Sequence, residues 1–123
     1  MRRRLLYAQL IAVALLAFLD IYFGIEKEYF WTVYWWDIPL HILGGLWVGL
    51  ATAWAFTVFR KRPTFIVCLC GAVAVGVAWE IFEYVTGTGG SIFMSYPVDT
   101  AKDILDDCIG GAIAGLLVIR RRV

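Results

Sequence analysis

Residues 96–115 read YPVDTAKDILDDCIGGAIAG. Asp99, Asp103 and Asp107 recur every fourth residue, so on a helix the three carboxylates share one slowly drifting face, and the same row continues as Gly111 and Gly115. The remaining positions are mostly Ile, Leu, Val, Cys and Ala, and the run ends on Arg120, Arg121 and Arg122. Such a segment reads as a helix that enters a bilayer with its acids at the end by which it enters.

The rest of the chain supports a bilayer setting. At 123 residues it has the length of one domain, and 62% hydrophobic residues with a mean hydropathy of +0.78 is too apolar for a water-soluble one. A spanning helix needs roughly 20 mostly apolar residues, and four segments meet or approach that length: about 5–24, 38–59, 65–86 and 100–119. The expected fold is an all-α integral membrane protein, a four-helix transmembrane bundle formed by a single domain over residues 1–123. No small-residue cleavage site follows the first segment, and its apolar run is long for a signal peptide, so it reads as retained.

Charge then orients the bundle. Basic residues cluster at 2–4, 60–62 and 120–122, which takes nine of the eleven Lys and Arg and leaves Lys27 and Lys102. With four spans the three clusters fall on one side, cytoplasmic by the positive-inside rule, with both termini inside. All ten acids fall in the opposite loops or the opposite halves of the spans. Between the first two spans, residues 25–37 read IEKEYFWTVYWWD, an aromatic density suited to a short interfacial segment at headgroup level. Cys68, Cys70 and Cys108 lie inside apolar spans, and the Cys68-x-Cys70 pair points to nearly opposite helix faces, against a metal clamp or disulfide.

Two further segments repeat the acid-to-glycine order. In WDIPLHILGGLWVGL, Asp37 precedes Pro39 as a helix start would require, with aspartate as a cap, and His41, Gly45 and Gly49 follow it at four-residue steps. In FIVCLCGAVAVGVAWEIFEYV, the row runs Ala72, Gly76, Glu80, with Glu83 one turn further on. Glu80 is expected about 9 Å inside the helix end at 1.5 Å rise per residue, a depth at which a carboxylate must be paired, protonated or coordinating. Thr100 with Asp103 could form a capping box for the last span. The loop TGTGGSIFMSYPV (86–98) suits a flexible or partly re-entrant connection and is not a phosphate loop, since no Lys-Ser/Thr follows it.

Gly45/Gly49, Ala72/Gly76 and Gly111/Gly115 are small-xxx-small pairs, which let helix backbones approach closely or give faces through which copies of the chain could associate. Because each pair continues a polar row, the rows should face inward together. Asp37, His41, Glu80, Glu83, Asp99, Asp103 and Asp107 would then share one cavity, with Asp106 and Asp20 nearby. Two carboxylates 6 Å apart repel by roughly 3 kcal/mol at an effective dielectric of 20. Two lysines are too few to compensate so many acids, so a divalent cation is the economical partner. Mg, Mn or Ca suits the oxygen majority and Zn the histidine.

The ordered set Asp37-x3-His41-x2-Gly44-Gly45, Trp79-Glu80-x2-Glu83 and Asp99-Thr100-x2-Asp103-x3-Asp107-x2-Gly110 resembles the YjdF-type bacterial inner-membrane proteins and, more distantly, the VanZ-like family. The resemblance covers roughly residues 36–115. The VanZ-like pattern often has Lys where this chain has Ile38, and Gln and Asn near Glu83 and Asp107. It implies a multi-pass protein of a bacterial cytoplasmic membrane facing the cell envelope; VanZ-like proteins are associated with glycopeptide resistance. No reaction follows from it.

Three functions fit these residues. One is a metal-dependent enzyme acting on lipid or lipid-linked phosphate headgroups, with Glu80, Glu83, Asp99, Asp103 and Asp107 as metal ligands, His41 as acid/base oriented by Asp37, and Lys102 meeting the anionic group. A second is a cation or proton-coupled transporter or binding protein, whose path through the other half would have to use Thr52, Thr57 or the cysteines. The third is a structural membrane protein whose acids hold the bundle together. Membrane lipids are the expected partners, and nothing points to nucleic acid.

Overall fold

A computed structural model describes residues 1–120; Arg121 and Arg122 of the last basic cluster lie outside the described residues. Every regular element in it is helical: α1 (Arg2–Phe18), continued by π-helical turns over Leu19–Glu26, α2 (Tyr29–Thr32), α3 (Asp37–Val58), α4 (Phe65–Thr86) and α5 (Tyr96–Arg120). Among the described residues three helices are long and apolar enough to cross a membrane, namely Arg2–Glu26, Asp37–Val58 and Phe65–Thr86. This agrees with a multi-pass membrane protein. The expected fourth span is different in kind: α5 carries Asp99, Lys102, Asp103, Asp106 and Asp107 in its first half. It is shielded by its neighbours rather than by its composition, and all four of its aspartates are buried.

The helix ends follow ordinary chemistry, with two departures from expectation. Thr64 caps α4 by accepting from the Val67 N–H at 3.2 Å, and Gly87 ends it in the left-handed region at φ 68°. Asp37 opens α3 but makes no cap hydrogen bond; its carboxylate faces His41 and Lys102. α5 starts at Tyr96, a turn before Thr100, so a capping box from Thr100 to Asp103 does not form and both residues lie within the helix. Between α1 and α3, Phe23, Tyr29 and Trp36 pack in tilted and edge-to-face contacts with ring centroids 5.0–5.7 Å apart, and Trp36 is buried, while Trp31, Tyr34 and Trp35 stay exposed. The aromatic segment thus has one anchored side and one open side.

α3 is the hub. It packs against α1, α4 and α5, and α4 and α5 pack on each other, whereas α1 and α4 share no packed interface. The small-residue rows do face inward. A side chain at Gly45 would collide with the backbone of Asp107, and one at Gly110 with the backbone of Ile42 and Leu46. One at Gly49 would come within 2.7 Å of the Ala114 methyl. These glycines bring α3 and α5 into backbone contact, as small residues do in membrane helix pairs. At the other end Leu5, Leu50, Ala53, Cys68, Ala114 and Val118 form the apolar core. Met1 and Arg4 meet Val118 there, and Phe65 covers Gly115, so the basic ends of α1, α4 and α5 lie together, away from the acids. Large apolar side chains such as Ile11, Ile66 and Val85 point outward, each more than half exposed, as a lipid-facing surface requires.

This packing yields a pair of contrasting substitutions. Gly45→Ala should destabilise the protein by about 1–3 kcal/mol through overpacking, read by thermal unfolding in detergent. Gly44→Ala, whose new methyl would meet nothing closer than 3.8 Å, should be neutral or slightly stabilising.

Candidate functional site

At the acid end, α3 and α5 present their polar rows to each other across the glycine contact. His41 lies at the centre. Its Nε2 is 3.5 Å from Asp37 Oδ1, one turn back on α3, and 3.7 Å from Asp103 Oδ2 on α5. Its Nδ1 faces Asp107 Oδ2 at 3.5 Å. Asp107 can reach this position because Gly76 of α4 has no side chain: a methyl there would overlap the Asp107 carboxylate. The glycines therefore make room for acids as well as for backbones.

Lys102 sits on the opposite side of the same carboxylates. Its ammonium contacts Asp103 directly and lies 3.4 Å from Asp37 Oδ2 and 3.6 Å from Asp106 Oδ2. Lys102, expected to meet an anionic group, has its charge taken up by three acids. A substrate anion could reach it only if those acids released it. Asp106 gained its place by lying one turn beyond Lys102, a spacing visible in the sequence.

The other expected ligands do not join this group. Glu83 accepts a hydrogen bond from Trp79 Nε1 at 2.8 Å, and Asp99 Oδ2 accepts one from the Ser91 N–H at 2.7 Å. Glu80 is 5% exposed, yet its Oε1 has no hydrogen-bond partner. The expected single cavity of six acids and His41 is thus divided: Asp37, Asp103 and Asp107 surround His41, Glu83 shares the cavity lining without touching the ring, and Glu80 and Asp99 lie apart from the His41 ring.

Beside His41 opens a cavity of about 350 Å³. α3 forms its floor through Leu40, Gly44 and Val48, α1 one wall through Val13, Leu16 and Ala17, and α4 the other through Ala72, Val75 and Trp79. Asp20, Asp37, His41, Glu83 and Asp107 gather the polar lining. The space exists because α1 and α4 do not close on each other. No residue pattern announced it, since its walls are ordinary apolar positions of helices far apart in sequence.

A metal ion can be tested against this arrangement. One oxygen each from Asp37 and Asp103 and one His41 nitrogen all lie within 4.8 Å of one another. Ligands bound at about 2.0–2.2 Å stand roughly 3–4 Å apart, so a small inward shift of these side chains would make three ligands. Asp107 on the far ring nitrogen matches the second-sphere carboxylate that fixes the tautomer of a metal-bound histidine. The residues fit an ion, and Lys102 competes with it for Asp37 and Asp103.

Removing the ammonium should expose that competition. Lys102→Met leaves three partly or fully buried carboxylates without their cation, and breaking a buried pair in this way costs about 3–5 kcal/mol. A lower unfolding temperature in metal-free buffer, recovered on adding Mn²⁺, is the expected result.

Among curated proteins and among solved structures nothing matches this chain. A family described as "Predicted membrane protein (DUF2238)" matches residues 2–123. With nearly the whole chain covered and three helices fit to cross a bilayer, the protein belongs to the DUF2238 family of predicted membrane proteins.

Proposed function

We propose that this protein binds one divalent cation through Asp37, His41 and Asp103 at the outer face of a bacterial-type inner membrane, and that the ion meets a lipid or lipid-linked phosphate headgroup through the cavity between α1 and α4. The observation that carries the reading is the convergence of three ligand atoms within 4.8 Å, from Asp37, His41 and Asp103, with Asp37 and His41 on the polar lining of an otherwise apolar cavity. The placement follows from the basic residues at the opposite end of the bundle, since positive loops stay cytoplasmic.

Each residue then has a role set by its position. Asp37 and Asp103 supply hard oxygen ligands and His41 supplies Nε2, a mixed set that suits Mn, Zn or Mg. Asp107 holds the His41 imidazole from its Nδ1 side. When bound, the ion neutralises phosphate charge and lowers the pKa of its water. His41 cannot ligate and act as a base through the same nitrogen, so an enzymatic version of this reading leaves proton transfer to Asp20 or Glu83, which line the same cavity. The apolar walls exclude water and accept the alkyl part of a lipid.

A transport reading is less well supported. Beyond the acids the core is Leu50, Ala53, Cys68, Ala114 and Val118, and the Thr57 hydroxyl is used on the Trp54 carbonyl at 2.7 Å. A structural reading draws on one observation, the contact of Lys102 with three carboxylates, which could hold the bundle without any metal.

Metal analysis and Mn²⁺ titration of the purified protein separate these readings. His41→Ala and Asp103→Asn should each remove one ion per chain relative to wild type, and Asp107→Asn should weaken that ion by about 10–100-fold, as loss of a second-sphere partner does. Wild-type protein from which these substitutions remove nothing leaves the structural reading in place. Hydrolysis of phospholipid or polyprenyl phosphates, set against cation flux in liposomes, then tells an enzyme from a transporter.

A further inference from the structure

Glu80 of α4 and Asp99 of α5 are each 5% exposed. Neither belongs to the His41 group, and among the described residues neither forms an ion pair with Lys, Arg or His. The Ser91 N–H donates to Asp99 Oδ2 at 2.7 Å. The Tyr96 hydroxyl donates to the Glu80 backbone carbonyl at 3.3 Å, which ties the start of α5 to the last turns of α4. Thr100 lies beside Glu80, and Asp99 is near enough to Glu80 for the two charges to interact.

Three oxygens are left over. Glu80 Oε1, Asp99 Oδ1 and Thr100 Oγ1 are all fully covered and none makes a well-aligned hydrogen bond, although the Thr100 hydroxyl stands within reach of the Glu80 carboxylate. An unpaired buried polar atom is destabilising, and a buried carboxylate without a counter-charge far more so. The hydroxyl can donate a single proton, to one oxygen only. The deficit is positive charge: among the described residues no Lys, Arg or His is in ion-pair contact with these oxygens, Lys102 being taken up by Asp37, Asp103 and Asp106.

We propose that Glu80, Asp99 and Thr100 form a second cation position, taking one hard divalent ion such as Ca²⁺ or Mg²⁺ independently of His41. The donor set is oxygen only, two carboxylates and a hydroxyl, which suits these ions and disfavours the softer metals that imidazole attracts. Two negative charges match one divalent ion. The position bridges α4 and α5 and holds the base of the 87–95 loop through Ser91.

The test is calorimetric titration of the purified full chain with Ca²⁺ and with Mg²⁺, in wild type and in His41→Ala. One Ca²⁺ or Mg²⁺ per chain should still bind in His41→Ala. Glu80→Gln and Asp99→Asn should each weaken that ion at least a hundredfold and Thr100→Val about tenfold, with Mn²⁺ at the His41 group unchanged as evidence of an intact fold. If the carboxyl variants do not fold, the His41→Ala stoichiometry alone decides. Absence of any Ca²⁺ or Mg²⁺ in His41→Ala overturns the proposal. So does an infrared band of a protonated carboxyl in wild type at neutral pH that Glu80→Gln removes, since a shared proton would then fill the position. Failure at His41 with binding retained at Glu80 would count against the first site alone.

Discussion

Helices α3 and α5 lie backbone against backbone, and that contact sets where the ionisable groups of the bundle can be. Gly45 meets the Asp107 backbone and Gly110 meets the backbone of Ile42 and Leu46. With any larger residue at these points the axes would part by a side chain's width. His41 and Asp103, now 3.7 Å apart, would then be separated by a gap that only water or lipid could fill. Close approach is also what hides the aspartates of a helix too polar to enter a bilayer alone. Membrane helices gain little from apolar contact with each other, so association of this kind rests on tight van der Waals packing and polar contacts.

Once the carboxylates are gathered, electrostatics governs the details. A shielded acid must find a proton, a cation or a set of donors. The molecule solves this differently along α5. Asp103 and Asp106 share Lys102 with Asp37, and Asp107 faces the histidine. Asp99 turns toward the Ser91 backbone, a half-solution that leaves one oxygen over. Glu80, buried on α4, forms no ion pair among the described residues. This uneven compensation is the ground on which cation binding at the acid end is proposed.

α1 contributes by what it does not do. It packs mainly on α3, holds it partly through a Trp47-to-Gln9 hydrogen bond of 3.2 Å, and forms no extensive interface with α4. The resulting cleft reaches the lipid-facing side of the bundle and ends on His41 and Asp37. An apolar approach to a polar end is the shape an amphiphile needs.

Much of this was legible in the residues themselves. Of the four spans expected from the apolar runs, three are helices long and apolar enough to cross a membrane, and the acid-to-glycine rows identified the faces that turn inward, because a helix repeats its faces every three to four residues wherever it is placed. The same rows named His41, Asp37, Asp103 and Asp107 as neighbours. What periodicity cannot encode is the distance between rows on different helices. Axial offset and rotation decided that Glu83 would bond Trp79, that Asp99 would reach back to Ser91, and that Lys102 would fall among three acids rather than toward a substrate. They also decided that α1 and α4 would leave a cavity. Local sequence sets which side of a helix is polar; only packing, through the few points where glycine lets backbones touch, sets which polar groups meet.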